Sequence, residues 1–175
     1  RELLMYTLTP MQIAWRLAQD LPEGSVVKLG PGYPALVQDF LTQAHKVVIY
    51  PDADTPGIGS GQHPSSEAEC RGAGLVSTVE NINIDICVLG ADQVTGQGEL
   101  VCQPLAQHGC ERDLAGTAKR VLVMMELFAK DGSCKLLSAS TLPLTGLEVS
   151  SVYTDLAVFD FHHGQLTLRE IVEGI

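Results

Sequence analysis

The chain has 175 residues, 45% of them hydrophobic and 5% aromatic, with a formal net charge of −10. That length buries a continuous core without disulfide or metal staples, so one domain over residues 1–175 is expected. Scattered acidic residues without a basic patch argue against nucleic acid or an anionic membrane as partner, and no run of about 18 apolar residues offers a membrane span.

The first predicted element is a helix. Thr9 suits its N-cap, Pro10 its first position and Gln12 the reciprocal capping-box place, with Leu8 and Ile13 set to staple the entry. Ile13, Ala14, Leu17, Ala18 and Leu21 recur at helical spacing until Pro22-Glu23-Gly24 ends the pattern. Ser25 to Leu29 then reads as a strand, Gly30-Pro31-Gly32 as a turn, Ala35 to Leu41 as a short helix and Lys46 to Tyr50 as a second strand. This βαβ order predicts parallel pairing through a right-handed crossover.

Residues 51–74 carry many Gly, Pro, Ser and Thr and no periodicity, which predicts a long loop with one helical turn near Ser65 to Cys70. Strands follow at Ile84 to Leu89, Arg120 to Glu126 and Ala157 to Phe161. Lys130-Asp131-Gly132 marks a turn, and His162-His163-Gly164 turns the chain into a hairpin with Gln165 to Leu168. Strands apolar on both faces, alternating with helical segments, predict an α/β fold: an open, mostly parallel sheet with helices on both faces.

The five cysteines form no CxxC pair and have no histidine at ligand spacing, so no metal site is expected. An odd, dispersed set reads as reduced thiols in the cytoplasm. Arg1 in place of an initiating Met leaves the N-terminal boundary open.

Three strand exits carry the candidate chemistry. In VVIYPDADTPGIG, residues 47–59, a strand delivers Asp52 and Asp54 to its end, followed by Gly57-Ile58-Gly59. In LGPGYP, residues 29–34, Gly30 and Gly32 permit close backbone approach just before a helix start suited to an oxyanion or phosphate. In VLGADQV, residues 88–94, Gly90, Ala91 and Gln93 leave a third strand, either to join the other exits in one crevice or to open a hairpin-like turn. Other polar groups have blander readings. His108, Cys110, Glu111 and Arg112 read more readily as a solvated loop than as a new acid/base or thiolate site, His162 and His163 as an exposed hairpin tip, and His63 and Cys70, which share the long loop with the aspartates, as loop residues ahead of a Cys-His pair.

Taken together, VKLGPGYP, IDICVLGADQVTGQGEL, KRVLVMMELFAKDGSCKLLSASTLPLTG and YTDLAVFDF, with Gly57-Ile58-Gly59, occur in the order seen in the β subunit of 3-oxoacid and acetate CoA-transferases, and the chain resembles that family over most of its length. YTDLAVFDF, residues 153–161, is similar to the family's closing strand. The resemblance implies the CoA-transferase or NagB-like fold, an α-subunit-like partner and acyl-CoA as ligand, with coenzyme A as substrate and no tightly bound cofactor. It also implies that Gly30, Gly32, Gly57, Gly59, Gly90, Ala91, Gln93 and Gly109 line the substrate or CoA site, and that Glu126 lies near it.

The chain departs from the family at its reacting group. The family glutamate stands in Ser-Glu-Asn-Gly before a Gly-Ile-Gly or Gly-Leu-Gly; here the ungapped position holds Asp52, flanked by Pro51, Ala53 and Asp54. The family's Gly-Gly-Ala-Met-Asp-Leu loop appears as His108 to Leu114, retaining Gly109, and the segments 59–83 and 100–113 are shorter than the family's. Three readings stay open: CoA transfer through an Asp52 thioester; a repurposed acyl-thioester enzyme, with Asp52 or Asp54 as a base for decarboxylation, hydrolysis or carbon–carbon chemistry; and an inert subunit that stabilises its partner.

Overall fold

The computed structural model describes residues 6–41, 46–50, 83–101, 115, 118–140 and 144–173. Helix α1, Pro10–Gln19, begins as its sequence requires. Thr9 is extended and its hydroxyl accepts the Gln12 N–H at 3.3 Å, while Gln12 Oε1 accepts the Thr9 N–H at 2.8 Å. The two bonds close the predicted capping box. Ile13, Ala14, Leu17, Ala18 and Leu21 are all buried.

The second predicted helix is instead a 3₁₀ segment, Tyr33–Phe40. It opens on an i→i+3 bond, Ala35 N–H to Gly32 carbonyl at 3.1 Å, and closes on another, Leu41 N–H to Gln38 carbonyl at 3.2 Å. Pro34, lacking an N–H, and Gly32 at φ +80° suit this tighter winding.

The strands in chain order are β1 Val26–Leu29, β2 Val48–Tyr50, β3 Ile86–Gly90, β4 Val94–Thr95, β5 Glu99–Val101, β6 Arg120–Met124, β7 Leu136–Leu137, β8 Leu144–Glu148, β9 Ser151–Tyr153, β10 Ala157–His162 and β11 Gln165–Ile171. The larger sheet has the order β11-β10-β9-β6-β3-β1-β2; it is parallel from β2 through β9 and antiparallel at β10 and β11. The smaller sheet has the order β7-β4-β5-β8. The mostly parallel sheet and the hairpin at His162 to Gln165 match the sequence expectation. The short strands β4, β5, β7, β8 and β9 were not predicted, because two to five residues of mixed polarity carry too little alternation to register. Residues 153–161 are not one closing strand: Tyr153 ends β9, and β10 runs back antiparallel from Ala157, Val158 pairing with Tyr153.

Successive residues of the central strands point to opposite cores, as a period of two demands. Ile86 and Val88 of β3, with Leu122 and Met124 of β6, pack with α1 and Val37 of the 3₁₀ segment. Cys87 and Leu89, with Val121 and Val123, pack with Val94, Leu100 and Val149 of the second-sheet region and with Ala115, itself helical. Burial on both faces explains why these strands read as unbroken apolar runs.

A polar clamp holds α1 to the antiparallel end of the sheet. Arg16 donates through Nε to Glu170 at 2.7 Å and through Nη1 to Asp20 at 2.8 Å, and also pairs through Nη2 with Glu170. The Tyr153 hydroxyl donates to Asp20 at 2.7 Å and accepts from Arg169 at 2.9 Å. Burial pushes the Asp20 carboxyl upward, but the bonds from Arg16 and Tyr153 outweigh it and hold the group below the usual carboxylate range. The Arg16 bond likewise depresses Glu170. No helix among the described residues is long and apolar enough to cross a membrane.

Candidate functional site at the strand exits

The parallel strands β1, β3 and β6 end within two residues of one another: Leu29, the last of β1, is level with Val88, and Gly90, the last of β3, is level with Met124, the last of β6. From β1 the chain turns to the 3₁₀ segment, which packs on the α1 face; from β3 it turns to β4 and β5, which pack on the opposite face. Adjacent exits that diverge to opposite faces leave a crevice between them, which is where open α/β sheets bind ligands.

Gly30 makes this junction close. Its N–H donates to the Val88 carbonyl at 2.8 Å, and a Cβ would lie 3.2 Å from that oxygen and 3.3 Å from Leu89 Cδ2. Gly32 turns the chain at positive φ into the 3₁₀ segment, whose start no side chain caps. Gly90 differs, since a Cβ there would meet only Pro34 Cδ, at 3.9 Å.

A cavity of about 280 Å³ opens at these exits. Tyr33 lines it from the β1 side, Gly90, Ala91 and Asp92 from β3, Met124, Met125 and Glu126 from β6, and Lys135 from the segment that returns to the same edge. The predicted Lys130-Asp131-Gly132 turn makes that return. Gly132, at φ +82°, donates its N–H to the Ala129 carbonyl at 2.9 Å; Phe128 and Cys134 form a bridge; and the Lys135 N–H donates to the Leu127 carbonyl at 2.8 Å.

The structure thus brings Gly90 and Ala91 together in one cavity, with Tyr33, the residue after Gly32, on its other wall. Gln93 lies just beyond, half-buried, its carbonyl accepting the Val101 N–H at 3.2 Å. The same exit also opens a hairpin, with Thr95-Gly96-Gln97-Gly98 as the turn between β4 and β5. Asp52, Asp54, Gly57, Gly59 and Gly109 lie outside the described residues, as do the loop 51–74 and His63, Cys70, His108, Cys110, Glu111 and Arg112. His162 and His163 are exposed at the hairpin tip.

Sequence reasoning missed Tyr33, Asp92, Met124, Met125 and Lys135. The methionines read as core, and Lys135 was findable only by asking where the turn at Lys130 to Gly132 sends the chain. Asp92, Glu126 and Lys135 around a small, mainly polar opening suit a polar ligand that offers donors to the two carboxylates and an acceptor to the ammonium. A cavity of about 310 Å³ between α1 and β11 is slightly larger, but it is mainly apolar and lacks the strand-exit glycines. Among the described residues, no group of three or more His, Cys, Asp or Glu side chains could hold a metal ion.

An open, mostly parallel sheet with a crevice at its strand exits defines an open-sheet α/β protein with a candidate site at the carboxyl edge. Comparison with known proteins narrows the class. The chain is 32% identical to one subunit of the probable succinyl-CoA:3-ketoacid coenzyme A transferase of Bacillus subtilis, covering 91% of this chain and 85% of the relative. It is 32% identical to the acetate CoA-transferase β subunit of Escherichia coli, covering 93% and 85%. The chain belongs to the CoA-transferase β-subunit family.

No protein-family model matches the chain. The Bacillus alignment spans 184 positions, more than the 175 residues here, so the relative carries residues that this chain lacks. Among solved structures, the apoenzyme of the acyl-CoA transferase YdiF of Escherichia coli superposes with a TM-score of 0.68 at 18% identity, covering 97% of this chain but only 40% of that one. A variant of the decarboxylase AibA/AibB superposes at 0.55, also at 18% identity, covering 91% and 77%. Both likenesses are of fold.

Proposed function

We propose that this chain is the β subunit of a cytoplasmic α/β heteromer that acts on acyl-CoA thioesters and transfers CoA between carboxylic acids. The convergence of the β1, β3 and β6 exits on one cavity, in a chain of this family, carries the reading. Coenzyme A enters as substrate, and no tightly bound cofactor is required.

Asp52 is the nucleophile in this reading; in the sequence it follows Tyr50, the last residue of β2, by two positions. Its carboxylate attacks the acyl carbonyl and expels CoA thiolate, leaving a mixed anhydride. The thiolate then attacks the aspartyl carbonyl, which frees the first acid and leaves CoA on Asp52 as a thioester. A second carboxylate reverses both steps, takes up CoA and restores Asp52. Gly30 and Gly32 shape the acyl side with Gly90 and Ala91, Gln93 orients the substrate, and Gly57, Gly59 and Gly109 complete the walls.

The aspartate stem is one methylene shorter than the family's, and a misplacement of about 1 Å can cost roughly 10²-fold in rate. That departure favours a second reading, a repurposed thioester enzyme with Asp52 or Asp54 as base. Incubating the assembled complex with acyl-CoA and then with hydroxylamine or borohydride separates the two. The transferase reading expects CoA release by hydroxylamine and a reduced Asp52 in the peptide map. Consumption of acyl-CoA with Asp52 unmodified would overturn it in favour of the second. Normal assembly with no thioester turnover would leave only an inert, partner-stabilising subunit.

A further inference from the structure

Glu126 and Lys135 reach the cavity from opposite ends of an excursion that leaves the sheet after β6, and one backbone unit joins them. Leu127 follows Glu126 directly, and its carbonyl accepts the Lys135 N–H at 2.8 Å. The Leu127 N–H does not enter a β ladder. It donates at 2.8 Å to Oδ1 of Asp155, which lies in the turn between β9 and β10.

The turn that carries that carboxylate is itself firmly held. The buried Thr154 hydroxyl donates to the Ala157 carbonyl at 2.7 Å and accepts the N–H groups of Leu156 at 3.2 Å and Ala157 at 2.9 Å, which fixes the turn around Asp155. The Asp155 carbonyl accepts the Leu8 N–H at 2.8 Å, so the lead into α1 braces the same residue. One residue before Glu126, the Met125 N–H donates to the Tyr153 carbonyl at 3.1 Å. Glu126 therefore has a fixed amide on each side, one held by the end of β9 and the other by the Asp155 side chain.

We propose that Asp155 is a positioning residue for the thioester site: through the Leu127 peptide it sets Glu126 and Lys135 together at the cavity wall. A charged acceptor on a backbone N–H is among the stronger hydrogen bonds, and it stands here where no neighbouring strand supplies a carbonyl. The role assigned to Asp155 is exerted through the Leu127 peptide rather than on a reacting atom. The proposal rests on the acyl-CoA reading for its kinetic consequence but not for its geometry.

The test compares Asp155→Ala with Asp155→Asn in the assembled complex. Alanine removes the acceptor; asparagine keeps an oxygen at nearly the same place. Asp155→Ala is expected to raise KM for acyl-CoA about tenfold while changing kcat less than about threefold, because the wall moves and the attacking carboxylate does not. Asp155→Asn should restore most of the loss. Amide hydrogen exchange at Leu127 and Lys135 should quicken at least about tenfold in the alanine variant, with β3 protection unchanged.

Unchanged exchange at Leu127 in Asp155→Ala, or an asparagine variant as impaired as alanine, would overturn the proposal. If the wild-type complex consumes no acyl-CoA, the functional reading falls, and the exchange measurement still decides the positioning role.

Discussion

Two glycines of the described residues leave little space for a side chain, at very different cost. A Cβ on Gly98 would lie 2.9 Å from Cγ and Cδ1 of the Phe161 ring, and the backbone there has φ +85°. Phe161 is buried in the core against the second sheet and cannot swing away. On Gly30 the nearest atoms stand at 3.2 and 3.3 Å, one of them on the flexible Leu89 side chain, and φ is not in the left-handed region. Gly98→Ala is expected to cost about 3 kcal/mol and Gly30→Ala about 1 kcal/mol, read from urea midpoints. The smaller change sits at the crevice, so it should disturb ligand affinity more than stability. At the same scale, Asp52→Asn keeps the shape but removes the nucleophile, and thioester turnover should fall by about 10³-fold or more if Asp52 carries CoA.

Helix α1 shows how an element needs more than its own pattern. Its cap and apolar face make it a helix, but its dock on the sheet includes the Arg16, Asp20, Tyr153, Arg169 and Glu170 clamp, assembled from residues up to 154 positions apart. Asp20 and Glu170 have folded-state affinities for protons below those of the unfolded chain. The unfolded chain therefore takes up protons first as the pH falls. The clamp's contribution is whole above about pH 4.5, the ordinary range of a free Glu, and is lost as the pH drops through the lowered values. Burial, with the Asp20 bond, raises the Tyr153 phenol, so its contribution is whole below about pH 10 and is lost as the pH rises. Trp15, the only tryptophan, sits half-exposed on α1 and reports both limits. Its fluorescence should change on acidification below about pH 4.5, and Arg16→Ala should flatten that response.

The described residues form two sheets sharing a core, with the candidate site where the larger one ends. Leu100 of the small sheet is fully buried among Cys87, Leu89 and Val123 of the large one. Leu100→Ala should cost about 2–4 kcal/mol, measured by urea unfolding, and unfold both sheets in one transition if they stand as a unit.

Much of this order was legible in the residues. Thr9, Pro10 and Gln12 specified the helix start because capping is local chemistry; the central strands showed as apolar runs because both their faces are buried; and Gly30, Gly90 and Ala91 marked strand exits because turns need glycine and small residues. Family membership was legible in motif order. Tyr33, Met125, Lys135 and Asp155 were not: Tyr33 and Met125 read as ordinary apolar residues beside a turn and a strand, Lys135 returns to the cavity only through a fold-back, and Asp155 bears on it only through its bond to the Leu127 N–H, none of which a local period records. Sequence by itself determined helix α1, the main strands with their mostly parallel order, and the carboxylate at position 52. Only the tertiary structure decided that β1 and β3 diverge to opposite faces and that the Asp155 turn grips the Leu127 peptide, because both depend on hydrogen bonds and packing between segments distant along the chain.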